Sequence, residues 1–273
     1  MTRRLEAGRG GVPGAVLAAV AACVLGLGPG AEPAAAQLAV DRFELGLEPG
    51  DPSLRTGVVA VRNEGTAAVQ AELRIEDWDR GEDGTNRWFA RGTVPGSCGA
   101  ALDVFPRQIR LEPGDAQSVR VLLSPAAPAD RECWGALVVE TVQPRTVNGR
   151  EVAYVVRTAV KVYAGPPGLA ADGVVGEMRM APAAGTQPGA TLSVAFDNAG
   201  ARHLEGRGRV EFRRPDNSVA ARVELPELYV LPGARRRVAV PVPALAPGRY
   251  VALAIVDYGG EEVAAGQIEY DAR

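Results

Sequence analysis

Two short stretches decide the fold: Val59-Ala60-Val61-Arg62-Asn63-Glu64-Gly65 and Val194-Ala195-Phe196-Asp197-Asn198-Ala199-Gly200. Each is an apolar, β-prone run that enters an Asn-x-Gly turn. Further on, each half repeats a second signal. Leu111-Glu112-Pro113-Gly114 precedes the alternating run Ser118 to Leu123, and Val230-Leu231-Pro232-Gly233 precedes Arg236 to Val242. Proline fixes φ and glycine accepts a positive φ, so Pro-Gly before an alternating run is a turn that launches a strand. Pro113 follows Asn63 by 50 residues, whereas Pro232 follows Asn198 by 34. The excess localises an insertion in the first half to about Asp77 to Ala101, which contains Trp78, Trp88 and Cys98.

Outward from these signals the pattern is almost entirely β. Val58 to Arg62, Val69 to Ile75, Ser118 to Leu123, Ala136 to Thr141 and Val152 to Tyr163 are Val-rich or alternating runs bounded by Gly, Pro and Asn. Ala164-Gly165-Pro166-Pro167-Gly168 then breaks the composition as a linker does. A second series follows: Val174 to Met180, Thr191 to Phe196, Gly208 to Arg213, Val219 to Leu225, Arg236 to Val242, Arg249 to Asp257 and Val263 to Tyr270. Each half has about the size of one immunoglobulin-like domain. The expected architecture is all-β, two tandem immunoglobulin-like β-sandwiches, at 37–164 and 170–273, with a linker at 165–169 and a leader at 1–36.

The leader is an address rather than structure. Arg3, Arg4 and Arg9 precede an apolar run from Val12 to Leu27, and Pro33-Ala34-Ala35-Ala36-Gln37 offers a small-residue cleavage site, the pattern of a secretory signal peptide. The run is interrupted by Pro13 and Gly14 and is too short and Gly-rich to span a membrane, and no other segment of about 18 apolar residues follows. A lipid on Cys23, within Val20-Ala21-Ala22-Cys23, is the competing interpretation; a mature chain starting at Gln37 excludes it. Export also changes how the cysteines read. Cys98 and Cys133 remain as an even pair in an oxidising compartment, where a disulfide is the default. Closing a loop of about 36 residues stabilises a fold by on the order of 3–4 kcal/mol in the chain-entropy picture.

The residue inventory excludes much chemistry. There is one histidine, His203, among 273 residues, and the formal net charge is −3. That stock does not suit a zinc centre, and no basic cluster of the kind that binds nucleic acid is present. Asp77-Trp78-Asp79-Arg80-Gly81-Glu82-Asp83-Gly84 is acidic but lacks calcium-ligand spacing, and Asp83-Gly84 reads as a hairpin tip. No nucleophile, base and stabiliser can be assembled around His203, which is expected on the surface or in a turn. Arg235-Arg236-Arg237 is expected as a solvated strand edge, and Trp78, Trp88 and Trp134 as core or loop-packing residues. No cofactor or metal and no enzymatic activity are expected.

The first half carries a longer pattern. Phe105 to Gly114, then Val119-Arg120-Val121, Asp130-Arg131-Glu132, Val138-Val139-Glu140 and Val160-Lys161-Val162-Tyr163 follow one another in an order and spacing similar to those of the PapD-like periplasmic pilus-assembly chaperones. The resemblance covers about residues 38–168; the second half is similar only as a generic sandwich. It implies a periplasmic protein that lends an edge strand to pilus or fimbrial subunits lacking one strand, for delivery to an outer-membrane usher. On that strand Val152, Tyr154 and Val156 would fill the subunit groove, and Asn148-Gly149 before it signals a tight hairpin. Lys161 is the only lysine among 30 cationic residues. It falls where the family anchors a subunit's terminal carboxylate. The family's second anchor, an arginine, aligns with Glu44, so either Arg42 substitutes or the chain does not bind by that anchor. The alternative from another class is a secreted structural or adhesion protein, with Val152 to Tyr163 a paired core strand.

Overall fold

The computed structural model describes residues 37–147, 149–182 and 189–272; the leader at 1–36, with Cys23, and Asn148 of the hairpin signal lie outside them. In the first half the strands are β1 (Leu38–Val40), β2 (Glu44–Leu47), β3 (Thr56–Asn63), β4 (Val69–Arg80), β5 (Asn86–Phe89), β6 (Leu102–Phe105), β7 (Gln108–Leu111), β8 (Ala116–Leu123), β9 (Cys133–Val147) and β10 (Arg150–Ala164). They make one sheet in the order β1-β3-β8-β6 and a second in the order β2-β10-β9-β4-β5, with β7 also on β4. The second half contains β11 (Gly173–Pro182), β12 (Ala190–Asn198), β13 (Leu204–Arg213), β14 (Val219–Glu224), β15 (Leu228–Val230), β16 (Arg235–Pro241), β17 (Gly248–Asp257) and β18 (Ala264–Ala272). Its sheets run β11-β12-β16 and β14-β13-β17-β18, with β15 on β13. The two tandem sandwiches expected from the sequence are present.

Period-two alternation explains which strands form and where their faces go. In β4, Val69, Ala71, Leu73 and Ile75 enter the core while Gln70, Glu72 and Arg74 do not. Val59, Val61, Val119 and Val121, from the facing sheet, close the same core. Leu192, Val194, Phe196, Val210, Phe212 and Ala252 build the second. Six short strands, β1, β2, β5, β6, β7 and β15, were not expected, since three or four residues carry too little alternation to identify a strand. Several others outrun their apolar segments, β9 most of all.

The repeated turn signals prove to be one structural device used twice. Asn63 and Asn198 are both buried. The Asn63 carboxamide donates to the carbonyls of Ala67 (2.8 Å) and Leu111 (3.2 Å) and accepts from Gly65 N–H. That of Asn198 donates to Arg202 (2.8 Å) and Val230 (3.0 Å) and accepts from Gly200 N–H. The backbone follows suit: Gly114 N–H donates to Asn63 O and Gly233 N–H to Asn198 O. The two Pro-Gly turns place Gly114 at φ 83° and Gly233 at φ 72°, a region L side chains avoid. Each asparagine thereby ties the end of one strand to the turn that launches another.

The insertion extends β4 and folds back as the β4–β5 hairpin, with Gly84 (φ 82°) at its tip. Cys98 and Cys133 form the expected disulfide, Cα atoms 5.3 Å apart. Asp77, in the stretch rejected as a calcium loop, is buried and organises the loop instead: its carboxylate accepts from Thr93 N–H, Val94 N–H and the Ser97 hydroxyl. Among the described residues no cluster of three or more His, Cys, Asp or Glu is arranged to hold a metal.

Two stability predictions follow from these contacts. Replacing Asn198 by alanine leaves the Val230 carbonyl and the Gly200 N–H without their partner, so a loss of about 2–3 kcal/mol is expected in urea unfolding. Glu211, buried on β13, accepts from Arg209, Arg213 and Arg222, and these guanidiniums hold its carboxyl down to about 2 from 4.5. A depressed carboxyl contributes stability fully above its unfolded value and loses it as the pH falls. The unfolding midpoint should therefore drop between pH 4.5 and about 2, and Glu211→Gln should flatten that part of the curve.

Candidate functional site

The β9–β10 hairpin is the longest element of the molecule, paired continuously from Cys133↔Ala164 to Val147↔Arg150, with Gly149 at φ 75° in its turn. Its base is core: Val160, Val162 and Ala164 are fully buried. Its outer half is not, since every residue from Arg150 to Arg157 is exposed. The side-chain alternation nonetheless continues. Val152, Tyr154 and Val156 lie on the same strand face as Val160 and Val162, and retain 41%, 43% and 42% of their accessible surface. On the opposite face Val155 pairs with Val142, and both are exposed. The strand is therefore no fully covered core strand, the alternative left open by the sequence.

One edge of β10 is open as well. Among the described residues, its other sheet neighbour beside β9 is β2, which runs parallel and pairs from Lys161↔Glu44 to Ala164↔Leu47. Among the described residues, no strand pairs with the other edge from Arg150 to Val160. An unpaired edge with alternating apolar side chains is a template for another strand.

At the inner end of that edge stands Lys161. Its ammonium lies 3.6 Å from a Glu44 carboxylate oxygen, 4.2 Å from the ring centre of Tyr229 and 5.1 Å from that of Trp78. Cation–π attraction and the ion pair favour the charge; burial, the larger effect, lowers its pKa. The glutamate that departs from the family pattern thus lies directly opposite the lysine in register. Arg42 pairs instead with its neighbour Asp41, at 2.8 Å.

Behind Lys161 the two sandwiches meet in an aromatic joint. Trp78, Trp134 and Tyr163 from the first pack with Tyr229 and Leu231 from the second. Trp78 and Trp134 are locked reciprocally, the indole N–H of Trp78 donating to Gly135 O and that of Trp134 to Trp78 O. The Tyr229 hydroxyl donates to that of Tyr163, and burial raises the pKa of both phenols, so both stay neutral. Trp88 is partly exposed, with its ring centre 6.4 Å from that of Trp78.

His203 lies just past the Asn198-Ala199-Gly200 turn, as expected, but is not a solvated residue: its side chain is 22% exposed, stacks on Tyr163 (4.1 Å between ring centres) and sits 5.5 Å from Tyr229. Its Nδ1 and backbone N–H both meet the Glu132 carboxylate of the first sandwich. Nor is Arg235-Arg236-Arg237 simply a solvated edge. Arg235 pairs with Asp197, but the Glu82 carbonyl at the β4–β5 hairpin accepts from the Arg237 backbone N–H and the Arg236 guanidinium, each at 2.7 Å. The inserted hairpin of one sandwich thereby covers part of an edge strand of the other. Sequence reasoning missed Tyr229, and although Glu132, Glu82 and Arg80 stand in stretches it quoted, it did not place them at the boundary, where the Arg80 guanidinium carbon lies 5.0 Å from the centre of the Tyr229 ring. No local pattern marks such residues, although a lone histidine was a place to look.

A cleft of about 600 Å³ opens beside this joint, bordered by Glu44, Leu47, Glu132, Tyr163, Pro166, Arg202 and His203. These features define a two-domain immunoglobulin-like protein with an open strand edge leading to its interdomain cleft. Residues 52–170, most of the first sandwich, match the family model described as pili and flagellar-assembly chaperone, PapD N-terminal domain. The fold as a whole is similar to that of the class 5 fimbriae chaperone CfaA (TM-score 0.51, 11% identity, 85% of this chain and 98% of that one). A chain from a chaperone–tip adhesin complex of CFA/I fimbriae biogenesis is comparably similar (TM-score 0.50, 11% identity, 86% and 100%). No curated protein sequence matches the chain. Among the described residues, no helix is long and apolar enough to cross a membrane.

The joint generates a prediction. His203→Ala removes a stacked ring and a hydrogen bond to a buried carboxylate, for a loss of about 1.5–3 kcal/mol. Because that contact bridges the sandwiches, differential scanning calorimetry should show one transition separating into two.

Proposed function

We propose that this chain is a periplasmic chaperone for pilus or fimbrial subunits that lack a strand. The open Arg150–Val160 edge of β10, with Val152, Tyr154 and Val156 exposed along one face, is the observation that carries the proposal. A subunit missing one strand exposes an apolar groove flanked by unpaired backbone groups. An edge strand that supplies both backbone hydrogen bonds and alternating apolar side chains completes it. The match of residues 52–170 to a pilus-assembly chaperone family model supports the same role. On this reading residues 1–36 are a cleaved leader, the mature sandwiches span 37–164 and 170–273 about a 165–169 linker, and an outer-membrane usher receives the complex. Lys161 and Arg42 mark where the bound strand ends. The chain acts by binding and has no catalytic role.

Affinity purification from the native periplasm should recover small β-rich proteins in a one-to-one complex. Val156→Asp places a charge on the donating face and should weaken that complex at least tenfold; being exposed, the site should leave the free energy of unfolding within about 0.5 kcal/mol. Recovery of the chain only as a free monomer, with the subunits stable in its absence, would sink the proposal.

A further inference from the structure

The outer half of the β9–β10 hairpin has two flanks. β9 pairs with β4 only from Ala136 to Glu140, so among the described residues no strand covers its far side from Thr141 to Val147. β10 is uncovered on the opposite side, from Arg150 to Val160. Exposed apolar side chains accompany both flanks: Val142 retains 60% of its surface and Val155, its cross-strand partner, 57%. A free edge of this kind templates any strand that meets it, a second copy's included.

The backbones of the two flanks offer different things. In an antiparallel pair, successive residues turn their N–H and C=O alternately toward the partner and away from it. The Lys161 N–H donates to Phe43 O and the Gly165 N–H to Leu47 O, so odd-numbered residues of β10 face away from β9. The register with β9 runs without a shift from Ala164↔Cys133 to Arg150↔Val147, which carries the parity along the whole strand. Glu151, Ala153, Val155, Arg157 and Ala159 therefore present an unbroken row of N–H donors along the open edge of β10.

On β9 the outward residues are the even-numbered ones, as the Trp134 carbonyl shows by accepting from the Cys98 N–H. Past the end of the β4 pairing these are Val142, Pro144 and Thr146. Pro144 has no N–H, and its ring stands where the carbonyl of an added strand would approach. The middle of these three positions thus donates nothing. A proline one residue either way, at Gln143 or Arg145, would turn its nitrogen toward β10 and break the hairpin's own ladder.

We infer that Pro144 is a specificity-determining residue that makes the hairpin single-edged: it closes the β9 flank to strand addition, so that a partner strand joins only along β10. The occupant it excludes is a second copy of this chain. Two β9 flanks set antiparallel about a two-fold axis are self-complementary, with Val142 of one copy opposite Thr146 of the other and proline against proline at the centre, where both backbone hydrogen bonds are lost. The inference goes beyond strand donation and does not depend on it, since it concerns the flank that donation leaves unused.

The test compares the purified secreted chain with Pro144→Thr, which restores the donor on a strand-forming residue, by sedimentation velocity over a range of concentrations. The variant should dimerise about tenfold more tightly than the native chain or better, because each copy regains one backbone hydrogen bond. In its dimer, hydrogen exchange should slow at Val142 and stay fast at Ala153 and Val155. Adding Val142→Lys, a charge beside the restored donor, should return the native association. Pro144→Ala supplies the same donor with a smaller side chain and should shift association in the same direction. Folded variants that associate no more than the native chain, or a tighter dimer that protects Ala153 and Val155 in place of Val142, overturn the inference. Neither result touches subunit capture through β10, which the periplasmic purification reads separately.

Discussion

Each sandwich is held together by a buried asparagine that ties the end of one strand to a Pro-Gly turn far along the chain, Asn63 to Leu111–Gly114 and Asn198 to Val230–Gly233. A carboxamide serves here because it offers a donor and an acceptor in one rigid group, matching the two carbonyls and one amide that the crossing chain segments leave unpaired. Buried backbone groups must find partners, so a turn in the interior is tolerable only where such a side chain supplies them. With these ties in place the strand order and the two cores follow. The spacing between tie points is free to vary, which is how the first half accommodates an insertion.

That insertion is what makes the pair of sandwiches more than two beads on a linker. It lengthens β4 enough to bring Trp78 to the boundary, and its hairpin sets Glu82 against Arg236 and Arg237. The remaining contacts at the boundary are aromatic and polar together: Tyr163 against Tyr229, and His203 stacked on Tyr163 while held by Glu132. A joint of this kind fixes orientation through direction-dependent bonds and not through area alone. The cleft and the end of the open edge lie beside it, so the interdomain geometry also sets what the open edge leads to.

The open edge itself is a liability for a free protein, since unpaired strands bearing apolar side chains invite association. Here the exposed half of the hairpin is flanked by Arg157, Glu140, Arg74 and Glu76 in a salt-bridge network. Charges beside an apolar strip limit non-specific pairing while leaving the strip available.

By itself the sequence determined the all-β class, the two-sandwich organisation, the disulfide and the prominence of Lys161, because alternation, turn chemistry and residue scarcity are local or countable. The short strands escaped, having too few residues to show a period. Val152, Tyr154 and Val156 were legible as an apolar alternating set, but their exposure was not: an open strand and a buried one can share the same letters, and only the absence of a facing layer separates them. The same limit applies to charge. Glu44 and Lys161 lie 117 positions apart, so their pairing, like the meeting of His203 with Glu132 and Tyr163, was decided by tertiary structure alone, which sets distances that no spacing along the chain encodes.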